Sequence, residues 1–551
     1  MEFPSAVRGS DLPARILILG LDGATWDVID AMGDQLPNLS RLRREGAWGP
    51  LQSTTPAMTL PAWSSILTGC NPGIHGILDF TRRPPGSYQV EFLNSTCRRV
   101  PTIHRILSDQ GGRVASFAVP GTFPPEPLNG VALSGFDSPI ATRMEALHCE
   151  PASLFPQIEA RFGAPRFADF QESDIDAAWH RRALSRLLRE IDRKEATCRW
   201  LLDREEWDLF MVVFGESDTV AHHFWMFHDP TSPRHRADPL LSLAIRKVYR
   251  RLDAAVGELS RAGEIVCVCS DHGFGGAGTL ALYLNRFLEA QGWLKFREAR
   301  GEGLEPLRQL ALRLPVERIL RRVPSGLLGR AESAARFGEI DFSQTRAWSD
   351  ELNYAATIHL NLKGREPLGL LPDRAQAIRE LSELLLSWRV EGCPVVQKVT
   401  PREEAMAGPA TEGAPDLYLD LALENGFSAT LLPSGRVPPG TLSRRLKPEE
   451  WVGGKGLGMN GSHRPAGVFL LHGPGVRPGR VDAGVADILP TLLSLTGRPI
   501  PLHCDGRVIR EALVQPEERR EALGFDAPTP RGFSAQEDDA LRKKLERLGY
   551  L

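Results

Sequence analysis

Three short apolar runs, each ending directly in polar residues, constrain the fold of this chain more than any other feature. They are residues 15–21, 209–214 and 265–269, and they are rich in β-branched side chains. Continuous runs of this kind are typical of strands that are buried on both faces, as in a parallel sheet covered by helices. Because such sheets bind ligands beyond the carboxyl ends of their strands, the polar residues after each run predict a site there.

Helical patterns lie between the runs, for example at residues 184–202 and 240–262. Strand and helix therefore alternate along the chain. This alternation predicts an α/β sandwich with a largely parallel central sheet.

A second α/β stretch interrupts this core, with predicted strands at 355–362 and 416–423 around a predicted helix at 373–388. The core is expected to resume with a strand at 468–471 and a helix at 487–496 that Gly497 ends. The predicted division is a core in two parts, 15–290 and 453–514, an inserted α/β lid or cap region, 291–452, and a C-terminal charged tail and helix, 515–551.

One segment of the insertion, 301–336, is rich in leucine and arginine and is broken by three prolines, which predicts short helices. Their amphipathic faces are either a surface for anionic substrate or lipid, or ordinary solvated faces.

The charge balance excludes one class of function. A formal net charge of −3 gives no global basic field that would hold a nucleic-acid backbone, so a stable nucleic-acid partner is not expected. No apolar run reaches the roughly 18 residues that span a bilayer, and residues 1–14 lack a signal-like apolar segment. A cytoplasmic location is the resulting prediction.

The eight cysteines include no CxxC pair, which disfavours both a metal–thiolate site and a disulfide framework. Cys267 and Cys269 alternate with valines inside an apolar run. We interpret them as one face of a buried strand.

Six potential metal ligands and one hydroxyl carry the candidate chemistry: Asp22, Thr59, Asp218, His222, Asp271, His272 and His463. Carboxylates and imidazoles together suit zinc-like metals.

Two pairs among them follow predicted strands. Asp271 and His272 precede Gly273, which allows a sharp turn that points both side chains at one place. Asp218 and His222 are four residues apart, so a helix beginning near Asp218 would put both on one face and turn His223 elsewhere. Each pair can also be an ordinary turn or helix feature.

Asp22 and Thr59 each have a structural alternative. Asp22 could cap a helix around residues 26–29. Thr59 precedes the helical segment 62–67 like an N-cap, where free amides and the helix dipole favour an anion. In the functional alternative, a metal deprotonates Thr59 and the alkoxide attacks phosphorus. Three aspartates and this alkoxide would balance two divalent cations, and neutral histidines would add affinity without charge.

The segments around these residues resemble the ordered motifs of the alkaline phosphatase superfamily, and within it the type I phosphodiesterase/nucleotide pyrophosphatase family. The matching segments cover three parts of the chain, roughly 15–80, 205–290 and 455–510. They are Leu21-Asp22-Gly23, Pro37-Asn38-Leu39, Thr59-Leu60-Pro61, Leu67-Thr68-Gly69, His75-Gly76-Ile77, 218–222, Ser270-Asp271-His272-Gly273 and Gly461-Ser462-His463.

The resemblance implies an alkaline-phosphatase-like sandwich with two divalent metals, usually zinc, with manganese or another metal as alternatives. One metal is expected on Asp218, His222 and His463. The other is expected on Asp22, Asp271 and His272, with Thr59 beside it as ligand and nucleophile. The implied activity is hydrolysis of a diester or pyrophosphate in a small phosphorylated substrate through a covalent phosphothreonine intermediate.

Two positions depart from the family pattern. The asparagine expected just after His75-Gly76-Ile77-Leu78-Asp79, which donates to the substrate's phosphoryl oxygen, is replaced by Phe80, and Ala62 replaces a polar residue. Basic residues are candidates for the missing phosphate contact, although each can equally be a surface or turn residue: Lys363, Arg365, Lys455 and Arg464.

Other functions stay open. A phosphomonoesterase or a phosphonate hydrolase would use the same two metals. A non-catalytic binding protein with this fold is disfavoured because all seven positions are retained. A sulfatase is disfavoured because Thr59-Leu60-Pro61-Ala62-Trp63 lacks the Cys/Ser-x-Pro-x-Arg motif, and a membrane phosphoethanolamine transferase because no apolar run is long enough to span a membrane.

Overall fold

The computed structural model describes residues 14–135, 144–166, 178–297, 336–351, 355–452 and 459–525. Within them, the central feature is a ten-stranded sheet with helices on both faces. Its strands, with the two that extend it at the site, are β1 (Ile16–Leu21), β2 (Ala47–Gln52), β3 (Val114–Val119), β4 (Gly130–Ser134), β5 (Cys149–Glu150), β6 (Leu209–Phe214), β7 (Ile265–Cys269), β8 (Gly273–Leu282), β9 (Gly461–Arg464), β10 (Ala466–His472), β11 (Gly479–Arg480) and β12 (Ala483–Gly484).

The order across the main sheet is β11-β2-β10-β7-β1-β6-β3-β4-β5, with β12 also beside β2. The five consecutive strands β7, β1, β6, β3 and β4 are parallel, whereas β10 and β5 run antiparallel to their neighbours. The predicted α/β sandwich with a largely parallel sheet is therefore confirmed. β1 lies between β7 and β6, so the three predicted strands are adjacent and their carboxyl ends meet.

Alternate residues of β1 enter two different cores, as the continuous apolar run requires. Leu17, Leu19 and Leu21 belong to one buried cluster, and Ile16 and Ile18 belong to the other. Each face is covered by helices. In chain order the helices are α1 (Trp26–Met32), α2 (Pro37–Glu45), α3 (Thr59–Thr68), α4 (Pro72–His75), α5 (Ile103–Asp109), α6 (Phe155–Phe162), α7 (Trp179–Arg204), α8 (Glu216–His228), α9 (Ala244–Leu259), α10 (Leu284–Ala290), α11 (Arg374–Ser387), α12 (Arg402–Ala405) and α13 (Ile488–Leu495).

The insertion has a core of its own. Four strands form an antiparallel sheet in the order Ala347–Trp348, Ala356–Leu360, Leu417–Leu421 and Val396–Pro401. Trp348, Ile358 and Leu381 of α11 are fully buried in a third apolar cluster. The strands and helix predicted there from the sequence are present, each within a few residues of the expected bounds. The predicted domain boundaries themselves stay a prediction.

Shorter strands complete the described parts. Ser428–Leu431 and Ser443–Arg445 lie beside β8, and three two-stranded pairs join Thr81–Arg82 to Glu91–Phe92, Arg389–Val390 to Cys393–Pro394, and Ile500–Pro501 to Arg520–Glu521. The leucine- and arginine-rich segment lies outside the described residues except for Arg336, as does most of the C-terminal tail with its predicted helix.

Two smaller predictions concern single features. Cys267 and Cys269 are both fully buried on one face of β7, as the alternation with valine indicated. In the described ranges, no helix combines the length and the apolar character that crossing a membrane requires. The cytoplasmic location stays a prediction.

Candidate functional site

Asp22 is the first residue beyond β1, and its position depends on the glycine that follows. Gly23 has a φ of +64°, and a Cβ on it would lie 3.0 Å from Cα of Asp218. Only glycine allows this backbone conformation without strain and lets the two acidic segments approach so closely. The capping alternative for Asp22 is wrong, because α1 begins at Trp26 and its N-cap is Thr25.

Asp218 and His222 both lie in the first half of α8, one turn apart, as their spacing predicted. The distance from His222 Nε2 to Asp218 Oδ1 is 3.4 Å. His223 points elsewhere, since its ring packs 5.1 Å from the ring of Trp179.

Asp271 and His272 occupy the short connection between β7 and β8. Gly273 is the first residue of β8 rather than a turn residue, and a Cβ on it would lie 2.0 Å from the carbonyl oxygen of Ala466. The glycine therefore serves close strand approach, not a sharp turn. β8 pairs antiparallel with β9, where Phe274 lies opposite His463. This pairing brings His463 beside His272, with ring centroids 3.7 Å apart.

These elements bring the six predicted ligands into two groups. Within each group, one ligand atom per residue lies within 4.8 Å of the others: Asp218, His222 and His463 in one, and Asp22, Asp271 and His272 in the other. In the first group, His463 Nε2 is 3.1 Å from His222 Nε2 and 3.4 Å from Asp218 Oδ1. In the second, His272 Nε2 is 3.3 Å from Asp271 Oδ2 and 3.7 Å from Asp22 Oδ1.

Each of the three imidazoles is oriented in the same way. The Nδ1 atoms of His222, His272 and His463 lie 3.1 Å from the backbone carbonyl oxygens of Gly461, Gly273 and Ala57, respectively. A carbonyl can only accept, so Nδ1 carries the proton and the Nε2 lone pair faces the carboxylates. This is the orientation that a backbone carbonyl gives to a metal-binding histidine.

The two groups fit metal ions in their geometry and in their electrostatics. Tetrahedral zinc with bonds of ~2.1 Å separates its ligand atoms by ~3.3 Å, close to the distances between these atoms. Asp218 Oδ1 and Asp271 Oδ2 are buried and accept no hydrogen bond from the described residues. Buried acceptors of this kind are costly unless a cation satisfies them.

The pKa shifts follow the same logic. Burial, and then the charge of Asp218, raise the pKa of Asp271 well above its usual value. Burial alone would also raise the pKa of Asp218, but His222 and His463 lower it well below the usual value. Burial lowers the pKa of His272 and of His463, which keeps both rings neutral and able to bind metal.

Thr59 lies against the second group, with Oγ1 3.4 Å from His272 Nε2. α3 begins at Thr59 and its N-cap is Met58, so the predicted start of this helix was three residues late and Thr59 is not the cap. The first main-chain bond of the helix runs from Ala62 N to Met58 O. The amides of Thr59 and Leu60 are therefore not used by the helix, and they stand at its positive end beside the hydroxyl.

Trp63 is a site residue that the motifs did not identify. It lies one turn after Thr59 and is fully buried, and its Nε1 donates to Asp22 Oδ2 at 2.8 Å. This bond fixes the Asp22 carboxylate and leaves Oδ1 facing His272. The only hint in the sequence was the position of the indole one turn after Thr59 in a helical segment.

The four basic residues proposed for phosphate binding do not converge on this site. Arg464 follows His463 on β9, so its side chain points to the opposite face, where it donates to Ser428 Oγ and to carbonyls of Gly276 and Gly426. Lys363 is exposed on a turn of the insertion. Lys455 lies outside the described residues.

Arg365 is held by an ion-pair network. Its guanidinium donates to both carboxylate oxygens of Asp416, at 2.8 and 2.6 Å, and to Glu366 at 2.7 Å. Asp416 is fully buried and also accepts from Arg374 and from the amide of Leu360. This geometry makes Arg365 a structural residue of the insertion.

Replacing Asp416 by asparagine is expected to destabilise the chain by about 3–5 kcal/mol at pH 7, because Arg365 would be left partly buried without its partner. Burial would raise the pKa of Asp416, but Arg365 and Arg374 hold it well below the ordinary value of 3.8. The stabilisation is thus present above pH 3.8 and is lost as the pH falls below it. Denaturant unfolding at several pH values measures this loss. Asp420→Asn, at an exposed position on the same strand, is the control, and equal stability of the two variants would contradict the expectation.

The position of the missing asparagine is apolar. Phe80 packs on a small cluster that contains Leu60, Ile77, Leu93 and Cys97. A cleft beside it runs from the loop before α3 to the sheet of the insertion, and its lining includes Met58, Arg82, Arg83, His359 and Tyr418. The guanidinium of Arg83 in this cleft is paired with Glu366.

Comparison with known proteins agrees with the expected family. Residues 16–419 match the sequence model of the type I phosphodiesterase / nucleotide pyrophosphatase family. No curated protein matched the chain. Similar solved structures include phosphonoacetate hydrolase from Sinorhizobium meliloti in complex with phosphonoformate (18% identity, 87% of this chain and 94% of that chain, TM-score 0.48). Human ectonucleotide pyrophosphatase/phosphodiesterase 5 is another (14% identity, 91% and 100%, TM-score 0.48).

Proposed function

The chain belongs to the type I phosphodiesterase / nucleotide pyrophosphatase family, and from this membership we propose that it hydrolyses a phosphodiester or pyrophosphate bond in a small substrate. The family consists of metal-dependent phosphoric ester hydrolases. The finer proposal is that Asp218, His222 and His463 hold one metal ion, that Asp22, Asp271 and His272 hold a second, and that Thr59 is the nucleophile.

The orientation of the three histidines carries this proposal. Each donates Nδ1–H to a backbone carbonyl and turns Nε2 toward a carboxylate oxygen. A structural cluster of buried histidines and aspartates would pair donors with acceptors, whereas here lone pairs face lone pairs. A cation is the partner that resolves such an arrangement.

Zinc is the favoured ion. One aspartate with two histidines, and two aspartates with one histidine, are borderline nitrogen and oxygen ligand sets. When bound, the ions would polarise the phosphoryl oxygens, acidify the Thr59 hydroxyl and stabilise the leaving oxygen.

The chain's own groups supply the remaining chemistry. Thr59 Oγ1 forms a bond to phosphorus while the bond to the leaving alcohol or phosphate breaks, and water then cleaves the phosphothreonine. The free amides of Thr59 and Leu60 lie where they can donate to the phosphoryl oxygens. Trp63 holds Asp22 in position through its indole N–H.

The rest of the substrate is proposed to occupy the cleft between the Met58 loop and the insertion. Arg82 lies at its edge with a side chain that is 41% exposed. It supplies positive charge in the region where the family's asparagine is absent.

Assaying the zinc-loaded chain against three substrates tests the proposed reaction. We expect bis(p-nitrophenyl) phosphate to be hydrolysed with a higher kcat/KM than p-nitrophenyl phosphate or phosphonoacetate. A preference for the monoester or the phosphonate would reassign the substrate class to one of the alternative hydrolases. Failure on all three substrates with both metal sites filled would favour a binding protein.

A further inference from the structure

A second cluster of metal-ligating side chains lies outside the site described above. Cys70, His503 and Cys504 each offer one ligand atom, and these three atoms lie within 4.8 Å of one another. The cysteines come from opposite ends of the sequence. Cys70 directly follows the glycine that ends α3, and Cys504 lies in the loop between α13 and the C-terminal region.

The two thiols converge on one point of the backbone. Cys70 Sγ and Cys504 Sγ each lie 3.3 Å from the carbonyl oxygen of Thr68. Both cysteines are buried, with exposed fractions of 0% and 3%. A Cβ on Gly69 would lie 3.0 Å from Cys504 Sγ, so the glycine leaves room for the sulfur.

The loop that carries His503 is held in register with Cys70 by main-chain and side-chain bonds. Asp505 accepts from the amide and the side-chain amide of Asn71, at 2.9 and 2.5 Å, and Gly506 N donates to Gly69 O at 3.0 Å. The sulfur atoms and the imidazole are therefore brought together by fixed backbone rather than by flexible side chains.

His503 points to a ligand. Its Nε2 is buried and has no hydrogen-bond partner among the described residues. A disulfide between the cysteines would leave this nitrogen unsatisfied, whereas a metal ion can accept an imidazole together with both sulfurs. Two thiolates and one imidazole are a soft ligand set that suits zinc better than magnesium or calcium.

We propose that Cys70, His503 and Cys504 form a third metal site, which binds Zn²⁺ and joins the loop at residue 504 to the end of the helix whose other end carries Thr59. Three protein ligands leave a fourth position for water. Binding displaces the thiol protons, and the two thiolates neutralise the cation.

The acidity of one thiol supports this assignment. The hydrogen bond with Cys70, against the effect of burial and with further help from His503 and Arg520, lowers the pKa of Cys504 to about 6. One thiolate is thus available at neutral pH before any metal binds.

Cadmium spectroscopy tests this site separately from the proposed active site. The full-length chain, stripped of metal and reduced, is titrated with Cd²⁺ while thiolate-to-cadmium absorbance is followed in the near ultraviolet. The proposed active-site ligands are carboxylates and imidazoles, so this absorbance reports cysteine ligands whether or not the enzyme is active. We expect about one equivalent of Cd²⁺ to produce the band.

The variants decide the outcome. Cys70→Ser and Cys504→Ser should abolish the band, His503→Gln should weaken Cd²⁺ binding by about 10–100-fold while keeping both thiols, and Cys393→Ser, at an exposed cysteine in a distant hairpin, should change nothing. If the serine variants fail to fold, His503→Gln still tests the site, since both sulfurs remain. A band unaffected by His503→Gln, no band in the wild-type chain, or a Cys70–Cys504 disulfide found by peptide mapping of the chain as purified would each overturn the proposal.

Discussion

Thr59→Ala is expected to abolish hydrolysis of bis(p-nitrophenyl) phosphate, with kcat at least about 1000-fold lower, because no other hydroxyl takes its place as nucleophile. Metal content should be unchanged, since Asp22, Asp271 and His272 remain to hold the ion beside Thr59. Steady-state kinetics with metal analysis of the same samples measures both quantities. Loss of activity without loss of metal is the result that assigns a chemical rather than a structural role.

Two variants control this experiment. Thr68→Ala makes the same change at the other end of α3, where the hydroxyl bonds only the carbonyl of Ser64 within the helix, and it should keep near wild-type activity. Thr59→Ser keeps a hydroxyl and should retain measurable turnover with a covalent phosphoserine. Turnover by Thr59→Ala at the rate of Thr68→Ala would remove Thr59 from the mechanism.

The local parts of the fold were predictable from the sequence. β1, β6 and β7 lie within one residue of the predicted apolar runs, because a strand buried on both faces must be continuously apolar. The common face of Asp218 and His222 followed from their spacing, since one helical turn has a fixed length. The family motifs then supplied the grouping of ligands, which neither periodicity nor spacing could have supplied.

The features that depend on distant segments were not predictable. Gly273 was interpreted as a turn residue, whereas the neighbouring strand makes glycine necessary there. Arg365 was proposed as a phosphate ligand, but a buried carboxylate 51 positions later in the chain neutralises it. The cysteines were judged by their spacing alone, and Cys70 meets Cys504 only because α3 and the C-terminal loop pack together. In each case the decisive partner lies far away in sequence.

The replacement of asparagine by Phe80 has a structural consequence for selectivity. An apolar ring on the Leu60 cluster cannot donate a hydrogen bond to a phosphoryl oxygen. The phosphate would then depend on the metals, on the amides at the start of α3 and on basic residues of the cleft. Such a site holds the reacting group by charge more than by directed hydrogen bonds, which relaxes the requirement for one particular ester.

His222→Ala is expected to remove about one metal ion per chain and to lower kcat/KM at least about 1000-fold, because the group of Asp218, His222 and His463 would keep only two ligands. The adjacent residue provides a matched control, since His223→Ala removes the same side chain from the next position of α8. His223 packs against Trp179 away from the carboxylates, so its loss should cost stability but no metal. Metal analysis and kinetics of the two variants, with thermal unfolding to compare their folding, separate these effects. Equal metal content in both variants would contradict the assignment of His222, and equal loss from both would indicate that α8 itself, rather than the imidazole, sustains the site.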